Sequence, residues 1–355
     1  MPSIQPILSL LGIAAALQTF PISRSKVSTT SMTNVRSAFY TVQAAVGNQQ
    51  ILNLDLDTGS SDTWFRSSLC TSTDGSCPLP KEFVASDPTI VDLHASFDIN
   101  YADKSKATCE IYLVDFTLGG FKTKLPVGLT TTMAGFNNTP ERDGLLGLGF
   151  NDLSKISSAL HGSNANWFDS LGLTGNNQMF SVFLSLSEID KGELTIGGYD
   201  SSKINGEIYY FPLSSSNSWQ IDVTGMKYQI ETQAGPAQIS LKSMLIDTGS
   251  TNIYLEKSVA DTINTILGAA YDSKKKNYII DCKKINDGPD LSFVIQDTTF
   301  SIPSTYYISQ SSNYCFTRIK ASTSKIIIFG DLFMKAFYTI FDKGNKQIGL
   351  AVAQQ

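Results

Sequence analysis

The sequence predicts a mostly β protein that is built from two similar lobes. Runs of β-branched, aromatic and alternating apolar residues recur about every ten positions, and Gly, Asn, Asp and Ser clusters separate them. Helical patterns are few and short. The motif DTGS occurs twice, and each copy is followed by a glycine-closed apolar segment. Repetition of a two-part signature in the same order indicates an internal duplication.

The predicted elements follow this pattern along the whole chain. The mid-chain stretches 200–206 and 214–218 are the least hydrophobic, so we place the first lobe at 27–200 and the second at 201–355. The predicted strands cover residues 39–46, 51–56, 110–118, 180–186, 207–211, 292–295 and 325–329. The predicted helices cover residues 154–160, 167–171, 257–267 and 331–336.

Composition narrows the class of protein. The 355 residues are 42% hydrophobic and 17% charged, against a globular norm of about 25% charged, so a sizeable core is expected and disorder is not. The net charge of −5 disfavours nucleic acid, which needs clustered cations. The basic run 274–276 is interpreted as a solvated loop. His94 and His161 leave little for a metal site or a Ser-His-Asp triad, so no metal or cofactor is expected.

The N-terminus has the pattern of a signal peptide. Residues 7–17 are apolar except for two positions, which is too short to span a bilayer. Small residues at 14–16 suit cleavage, so we assign 1–19 to a signal peptide and 20–26 to a short pro-segment or linker. The preceding residues lack Lys and Arg, and a buried N-terminal helix is the alternative. We expect secretion, with an acidic vacuole as the alternative compartment and no membrane anchor.

The five cysteines suit an oxidising compartment. Cys70 and Cys77 enclose a short loop, and Cys282 and Cys315 lie 33 positions apart. Two local bridges are plausible, although spacing alone does not determine the pairing. Cys109 is left over in a strand-like run without a nearby histidine, so we expect it to be buried and inert.

The repeated motif is the strongest functional signal. Residues 57–60 and 247–250 both read DTGS, 190 positions apart. The first copy is followed after 90 positions by the glycine-closed segment 145–147, and the second after 83 positions by 328–330. A single DTGS is a common turn, whereas two copies with matched partners imply two equivalent loops.

Two such loops can bring Asp57 and Asp247 together. Neighbouring carboxylates resist ionising together, so the pair is expected to share a proton and to titrate as a unit. The ionised member can take a proton from a bound water while the protonated member polarises a carbonyl. The neighbours in each loop are expected to hold the carboxylates, tie the loops together and let substrate approach. These dyad-supporting residues are Ser60 and Ser250, Thr58 and Thr248, and Gly59 and Gly249.

At this point the chain resembles the pepsin-like aspartic endopeptidases, from about residue 39 to 353. Besides both DTGS loops, the resemblance rests on DGLLGLGF at 143–150, the inter-lobe segment 194–213 and the C-terminal block 329–351. It implies a bilobal all-β fold with a deep cleft and a flap hairpin. It also implies a monomer that cleaves polypeptides between bulky apolar residues, binds pepstatin-like inhibitors, and works at about pH 3 to 5, the range known for this enzyme class.

The resemblance also assigns residues outside the two loops. It implies the bridges Cys70–Cys77 and Cys282–Cys315. Tyr101 would be the flap tyrosine, and Trp64 the tryptophan that orients it.

The flap sequence is YADKS at 101–105, where fungal members often carry YGDGS. Asp103 and Ser105 are retained, and the resemblance implies that Asp103 lets the pocket before the scissile bond accept lysine. Ala102, Lys104 and Cys109 replace glycines, which implies a reshaped or stiffer tip.

Two further expectations concern the N-terminus and single residues. Family zymogens carry a basic propeptide of some forty residues, but only 18–25 lies between the signal peptide and the first expected strand. We expect little or no inhibitory propeptide, or a truncated sequence. Asn137 begins a glycosylation sequon that Pro140 weakens. Trp219 is expected to pack within the second lobe.

Three other functions compete with an endopeptidase. A catalytically inactive member that binds peptides or proteins would explain the altered flap, although both DTGS loops are complete. A carbohydrate-binding module would explain the strands but not the paired loops. A glycosidase also uses two carboxylates, but the DTGS context and the duplication argue against it.

Overall fold

The computed structural model describes residues 27–35, 39–72, 74–77, 83–101, 104–136, 141–186, 192–230, 235–240, 242–322 and 326–355. The predictions for 1–26, Ala102, Asp103 and the sequon at Asn137 lie outside these residues.

Strands dominate the described chain, as predicted. In the first half they are β1 (Ser28–Val35), β2 (Phe39–Val46), β3 (Gln50–Asp57), β4 (Trp64–Phe65), β5 (Val91–Asn100), β6 (Lys106–Leu118), β7 (Phe121–Ala134), β8 (Gly144–Gly147), β9 (Met179–Phe183) and β10 (Gly192–Ile196). In the second half they are β11 (Ile204–Pro212), β12 (Gln220–Asp222), β13 (Lys227–Ile230), β14 (Ala237–Gln238), β15 (Ser243–Ile246), β16 (Ile253–Leu255), β17 (Ala270–Asp272), β18 (Asn277–Ile280), β19 (Leu291–Ile295), β20 (Thr298–Ile302), β21 (Ile308–Gln310), β22 (Cys315–Thr317), β23 (Ile319–Ala321), β24 (Ile327–Phe329), β25 (Phe337–Asp342) and β26 (Gln347–Ala353).

Helices are short and lie between strands. They are α1 (Lys155–Ala159), α2 (Trp167–Ser170), α3 (Lys257–Leu267), α4 (Lys284–Asp287), α5 (Ser304–Tyr307) and α6 (Asp331–Ala336). The bounds of α3 and α6 agree with the predicted bounds. Helix α3 buries one apolar stripe and ends at Gly268, whose φ of 82° is the left-handed conformation that favours glycine.

The same strand pairing occurs around both DTGS loops, so the duplication in sequence is also a duplication in structure. In the first half β8 runs parallel to β3 and antiparallel to β4, and β4 runs parallel to β7. In the second half β24 runs parallel to β15 and antiparallel to β16, and β16 runs parallel to β23. Each glycine-closed segment therefore lies beside the strand that leads into a DTGS loop.

One sheet joins the two halves. Among the described residues its 13 strands follow the order β11-β26-β25-β9-β10-β1-β2-β3-β8-β4-β7-β6-β5. Strand β25, near the end of the chain, thus pairs with β9 of the first half, and the last strand, β26, pairs with β25 and β11. The other described sheets, all in the second half, have the orders β12-β15-β24-β16-β23, β14-β13-β19-β20 and β17-β18-β22-β21. The result is a two-lobed all-β fold.

Trp219 lies at the junction of the halves, so the expectation that it packs within the second lobe was wrong. Its ring contacts Phe150 and Phe180 of the first half as well as Phe341. Its indole N–H donates to the carbonyl of Leu148 at 2.8 Å. A buried indole needs a hydrogen-bond acceptor, and here the other half provides it.

Within the described part of the chain, no helix has the length and apolar character needed to cross a membrane. The same residues contain no group of three or more His, Cys, Asp or Glu side chains placed to hold a metal ion.

Candidate active site

The first DTGS loop holds the carboxylate of Asp57 at the end of β3. Asp57 is only 6% exposed. Its Oδ1 accepts hydrogen bonds from the backbone N–H of Gly59 at 2.8 Å and of Ser60 at 3.2 Å. Its Oδ2 accepts from the Ser60 hydroxyl. These donors fix the carboxylate and favour its ionised form.

The second loop repeats this arrangement around Asp247, which follows β15 and is 8% exposed. Its Oδ1 accepts from the backbone N–H of Gly249 at 2.9 Å, and its Oδ2 accepts from the Ser250 hydroxyl at 2.7 Å. Ser60 and Ser250 therefore each donate a hydrogen bond to the carboxylate of their own loop.

Thr58 and Thr248 connect the two loops through four buried hydrogen bonds. The Thr58 hydroxyl accepts from the Thr248 N–H at 3.1 Å and donates to the Ile246 carbonyl at 2.9 Å. The Thr248 hydroxyl accepts from the Thr58 N–H at 3.0 Å and donates to the Leu56 carbonyl at 2.7 Å. Each hydroxyl satisfies two backbone groups of the opposite loop, so the loops are held in one mutual position.

The two carboxyl groups meet between the loops. A Cβ atom added at Gly59 would lie 2.5 Å from Asp247 Oδ1, and one added at Gly249 would lie 2.5 Å from Asp57 Oδ1. The carboxyl groups of Asp57 and Asp247, which we call the dyad, also share a hydrogen bond. Burial, and then the neighbouring Asp247, raises the pKa of Asp57 well above its ordinary value. A close pair of this kind binds a proton together.

The β5–β6 hairpin places an aromatic cluster beside the dyad. The Trp64 indole N–H donates to the Tyr101 hydroxyl at 2.8 Å, and Phe136 packs edge-on against both rings. Burial, and then the charge of Asp57, raises the pKa of Tyr101, so its phenol stays protonated. The structure therefore brings Trp64 and Tyr101 together as the resemblance implies, while Phe136 carried no sequence signal.

Backbone hydrogen bonds join the described residues on either side of the hairpin tip. The Tyr101 N–H donates to the Ser105 carbonyl at 2.9 Å, and the Lys104 N–H donates to the Tyr101 carbonyl at 3.0 Å. Lys104 has a φ of 75°, so the tip keeps the left-handed backbone that glycine suits, although a lysine occupies it. Ser105, the next residue, is buried.

Two acidic residues that lie beside the dyad were not predicted from the sequence. Asp55 is buried and forms an ion pair with Arg142 at 3.1 Å. Asp331, the first residue of α6, is buried and interacts electrostatically with Asp247 and Asp55. The sequence LDLD hinted at a second inward-facing carboxylate, because alternate residues of a strand share a face.

The cysteines and the two histidines lie away from the dyad loops in every described contact. The structure contains the bridges Cys70–Cys77 and Cys282–Cys315. Cys109 is a free, buried thiol, and burial raises its pKa. His94 and His161 are exposed, and neither is near the dyad loops in any described contact.

A two-lobed β fold that buries one aspartate from each lobe in matched DTGS loops is the architecture of the aspartic peptidases. A family model described as eukaryotic aspartyl protease matches residues 39–353. The chain is 32% identical to Rhizopuspepsin-2 of Rhizopus niveus, over 84% of this chain and 75% of that protein. It is 30% identical to Pepsin II-2/3 of Oryctolagus cuniculus, over 92% and 84% of the two chains.

The chain therefore belongs to the eukaryotic aspartyl protease family. It is an aspartic endopeptidase, and thus a hydrolase.

Proposed function

We propose that Asp57 and Asp247 form the catalytic dyad of an acid endopeptidase. The observation that carries the proposal is the contact between the loops, in which each carboxylate lies against the glycine of the opposite loop. Thr58 and Thr248 support it, because they hold the loops in this position without donating to the carboxylates.

In the proposed reaction the dyad carries one proton and holds a water. The ionised carboxylate takes a proton from the water as its oxygen attacks the peptide carbonyl carbon. The protonated carboxyl donates a hydrogen bond to the carbonyl oxygen, which gains charge as the tetrahedral intermediate forms. Proton transfer to the leaving nitrogen then breaks the C–N bond and restores the dyad. Two carboxyl groups thus supply both acid and base without a covalent intermediate.

Acid pH follows from the same arrangement. Activity requires one proton on the dyad, so hydrolysis ends when this last proton is lost as pH rises. We expect the optimum at about pH 3 to 5, the range known for this enzyme class.

The flap would close over a bound polypeptide. Tyr101 accepts a hydrogen bond from Trp64 and lies close enough to Asp57 for the charge of Asp57 to raise the pKa of the Tyr101 phenol. We propose that the site prefers large apolar residues on both sides of the scissile bond. We also propose, from the resemblance alone, that Asp103 lets the pocket before the scissile bond accept lysine and that Ser105 is the other retained residue of the flap.

Secretion is the proposed location. The apolar segment 7–17 supports a removable signal peptide, and the two disulfides suit an oxidising compartment.

The direct test is cleavage of a denatured globular protein by the purified, processed enzyme at pH 3.5, with and without pepstatin. Asp57→Asn removes one carboxylate without changing the size of the side chain. Asp115→Asn makes the same change at an exposed position of β6, where the carboxylate pairs with Lys124. We expect wild type and Asp115→Asn to cleave, and pepstatin and Asp57→Asn to abolish cleavage.

Persistent cleavage by Asp57→Asn would overturn the proposed mechanism. Absence of cleavage by folded wild-type protein would instead favour the inactive peptide-binding alternative, with the altered flap as the first feature to restore.

A further inference from the structure

The two DTGS loops differ at the position two residues before the aspartate. The first loop carries Asp55 there, whereas the second carries Leu245. Asp55 lies on the same face of β3 as Asp57 because side chains alternate along a strand. It is 4% exposed, between Thr41 of β2 and Leu145 of β8 in the sheet. The first lobe thus carries a buried charge for which the second lobe has an apolar residue.

Arg142 is the direct partner of Asp55. Its Nη1 lies 3.1 Å from Asp55 Oδ2, and its guanidinium lies over the Phe39 ring. Among the described residues, Asp55 Oδ1 and Arg142 Nε have no hydrogen-bond partner. The Asp55 carboxylate also has a hydrogen bond with the backbone of Leu56, but the ion pair itself is incompletely satisfied, which is costly in a buried place.

Asp55 interacts electrostatically with the dyad. Its charge acts on both Asp57 and Asp247, and Asp331 faces the same cluster from α6.

Several cations and one tyrosine lie near these buried carboxyl groups. Lys335 and Arg318 face Asp331, and Tyr40 also senses its charge. Arg142 in turn lies near Arg66, which faces Asp143. Arg142 is thus the cation that contacts Asp55, whereas Lys335 and Arg318 of the second lobe interact with Asp331.

The ionisation of Asp55 falls above the expected optimum, where the activity of an acid peptidase declines towards neutral pH. Burial raises its pKa to about 6, against the opposing effect of Arg142. Asp55 is therefore neutral at strongly acid pH and becomes negative as pH approaches neutrality.

We propose that Asp55, held by Arg142, is a positioning residue that acts through the charge of the dyad and extends hydrolysis towards neutral pH. The proposal rests on the proposed function of Asp57 and Asp247. At the upper pH limit the dyad must keep its last proton, and a negative neighbour opposes the loss of that proton. At the acid limit Asp55 is neutral and has no such effect.

The test is the pH profile of kcat/KM for a peptide substrate from about pH 2 to 8. Asp55→Asn removes the charge at constant shape, and Asp55→Leu copies the second loop. We expect both to shift the upper limb to lower pH by about half a unit or more, and to leave the acid limb in place. Arg142→Gln lets Asp55 keep its proton to higher pH but also removes a cation near the dyad, so it should shift the upper limb the same way by less than the Asp55 variants do, and Arg142→Lys should keep the wild-type limb.

The other possible results distinguish a structural role of Asp55 from an error in the proposed function. A uniform loss of activity with both limbs in place would show a merely structural role and overturn the proposal, as would an upper limb that does not move. If the Asp55 variants fail to fold, the comparison of Arg142→Gln with Arg142→Lys decides. Asp115→Asn is the matched control and should keep the wild-type profile. Activity in Asp57→Asn would instead show that the proposed function itself is wrong.

Discussion

Gly59→Ala is expected to damage the dyad through one methyl group. The added Cβ would lie 2.5 Å from Asp247 Oδ1, 2.7 Å from its Cγ and 2.9 Å from its Oδ2. Ordinary van der Waals contact begins at 3.4 Å, so the carboxyl group must move by about 1 Å. A displacement of this size costs about a hundredfold in rate, and overpacking costs about 1–3 kcal/mol of stability. We therefore expect kcat/KM to fall about a hundredfold while the protein still folds.

The assay is hydrolysis of a fluorogenic peptide at pH 3.5, with thermal unfolding measured in parallel. Gly249→Ala should have a matching effect, because its Cβ would lie 2.5 Å from Asp57 Oδ1. Gly235→Ala is the control, since its Cβ has no heavy atom within 4 Å and its φ is not in the left-handed range. If Gly59→Ala keeps kcat/KM within about threefold of wild type, the proposed contact between the loops is refuted.

Three further measurements test the energetics of the fold, each in an Asp57→Asn background that prevents self-digestion. Thr58→Val leaves two buried backbone groups without their hydrogen-bond partner. It should lower the free energy of unfolding by about 2–4 kcal/mol in guanidinium titrations. A loss below about 0.5 kcal/mol would contradict the hydrogen bonds between the loops. Replacing Cys282 and Cys315 by serine removes a disulfide that joins residues 33 positions apart. The free energy of unfolding should fall by about 4 kcal/mol in the same titration. No change would show that the disulfide does not constrain the unfolded chain. The pKa of Asp55 is about 6 in the folded protein, against an ordinary value of 3.8. The contribution of Asp55 to the free energy of unfolding is therefore fully present below pH 3.8 and is lost as pH rises through 6, which lowers the free energy of unfolding by about 3 kcal/mol. The titration repeated at about pH 3.5 and 6.5 should show this fall, and an equal fall in Asp55→Asn would contradict the assignment.

The fold and the centre of the site were predictable because their signals are local and repeated. Each DTGS loop contains its own aspartate and hydroxyl donors within four residues, so finding two copies was enough to predict a pair. The bounds of α3 were predictable because its apolar stripe and Gly268 lie in one short segment. The disulfide pairs were implied by resemblance, and the structure contains them.

What the sequence did not reveal depends on contacts between distant segments. Asp55 and Arg142 are 87 positions apart, and neither belongs to a motif. Phe136 meets Trp64 and Tyr101 only when the hairpin folds over β4. Trp219 was assigned to the wrong environment because its partners, including Phe150, come from the other half of the chain. Composition and periodicity carry no information about which strand ends converge.

The most direct test of the central claim is kcat/KM of Asp247→Asn from about pH 2 to 7. The substitution keeps the shape of the side chain but removes one of the two carboxyl groups that must share a proton. The account predicts a loss of about a thousandfold or more at every pH, because Asp57 alone cannot act as both acid and base. Activity within about tenfold of wild type at any pH would contradict catalysis by the Asp57 and Asp247 dyad.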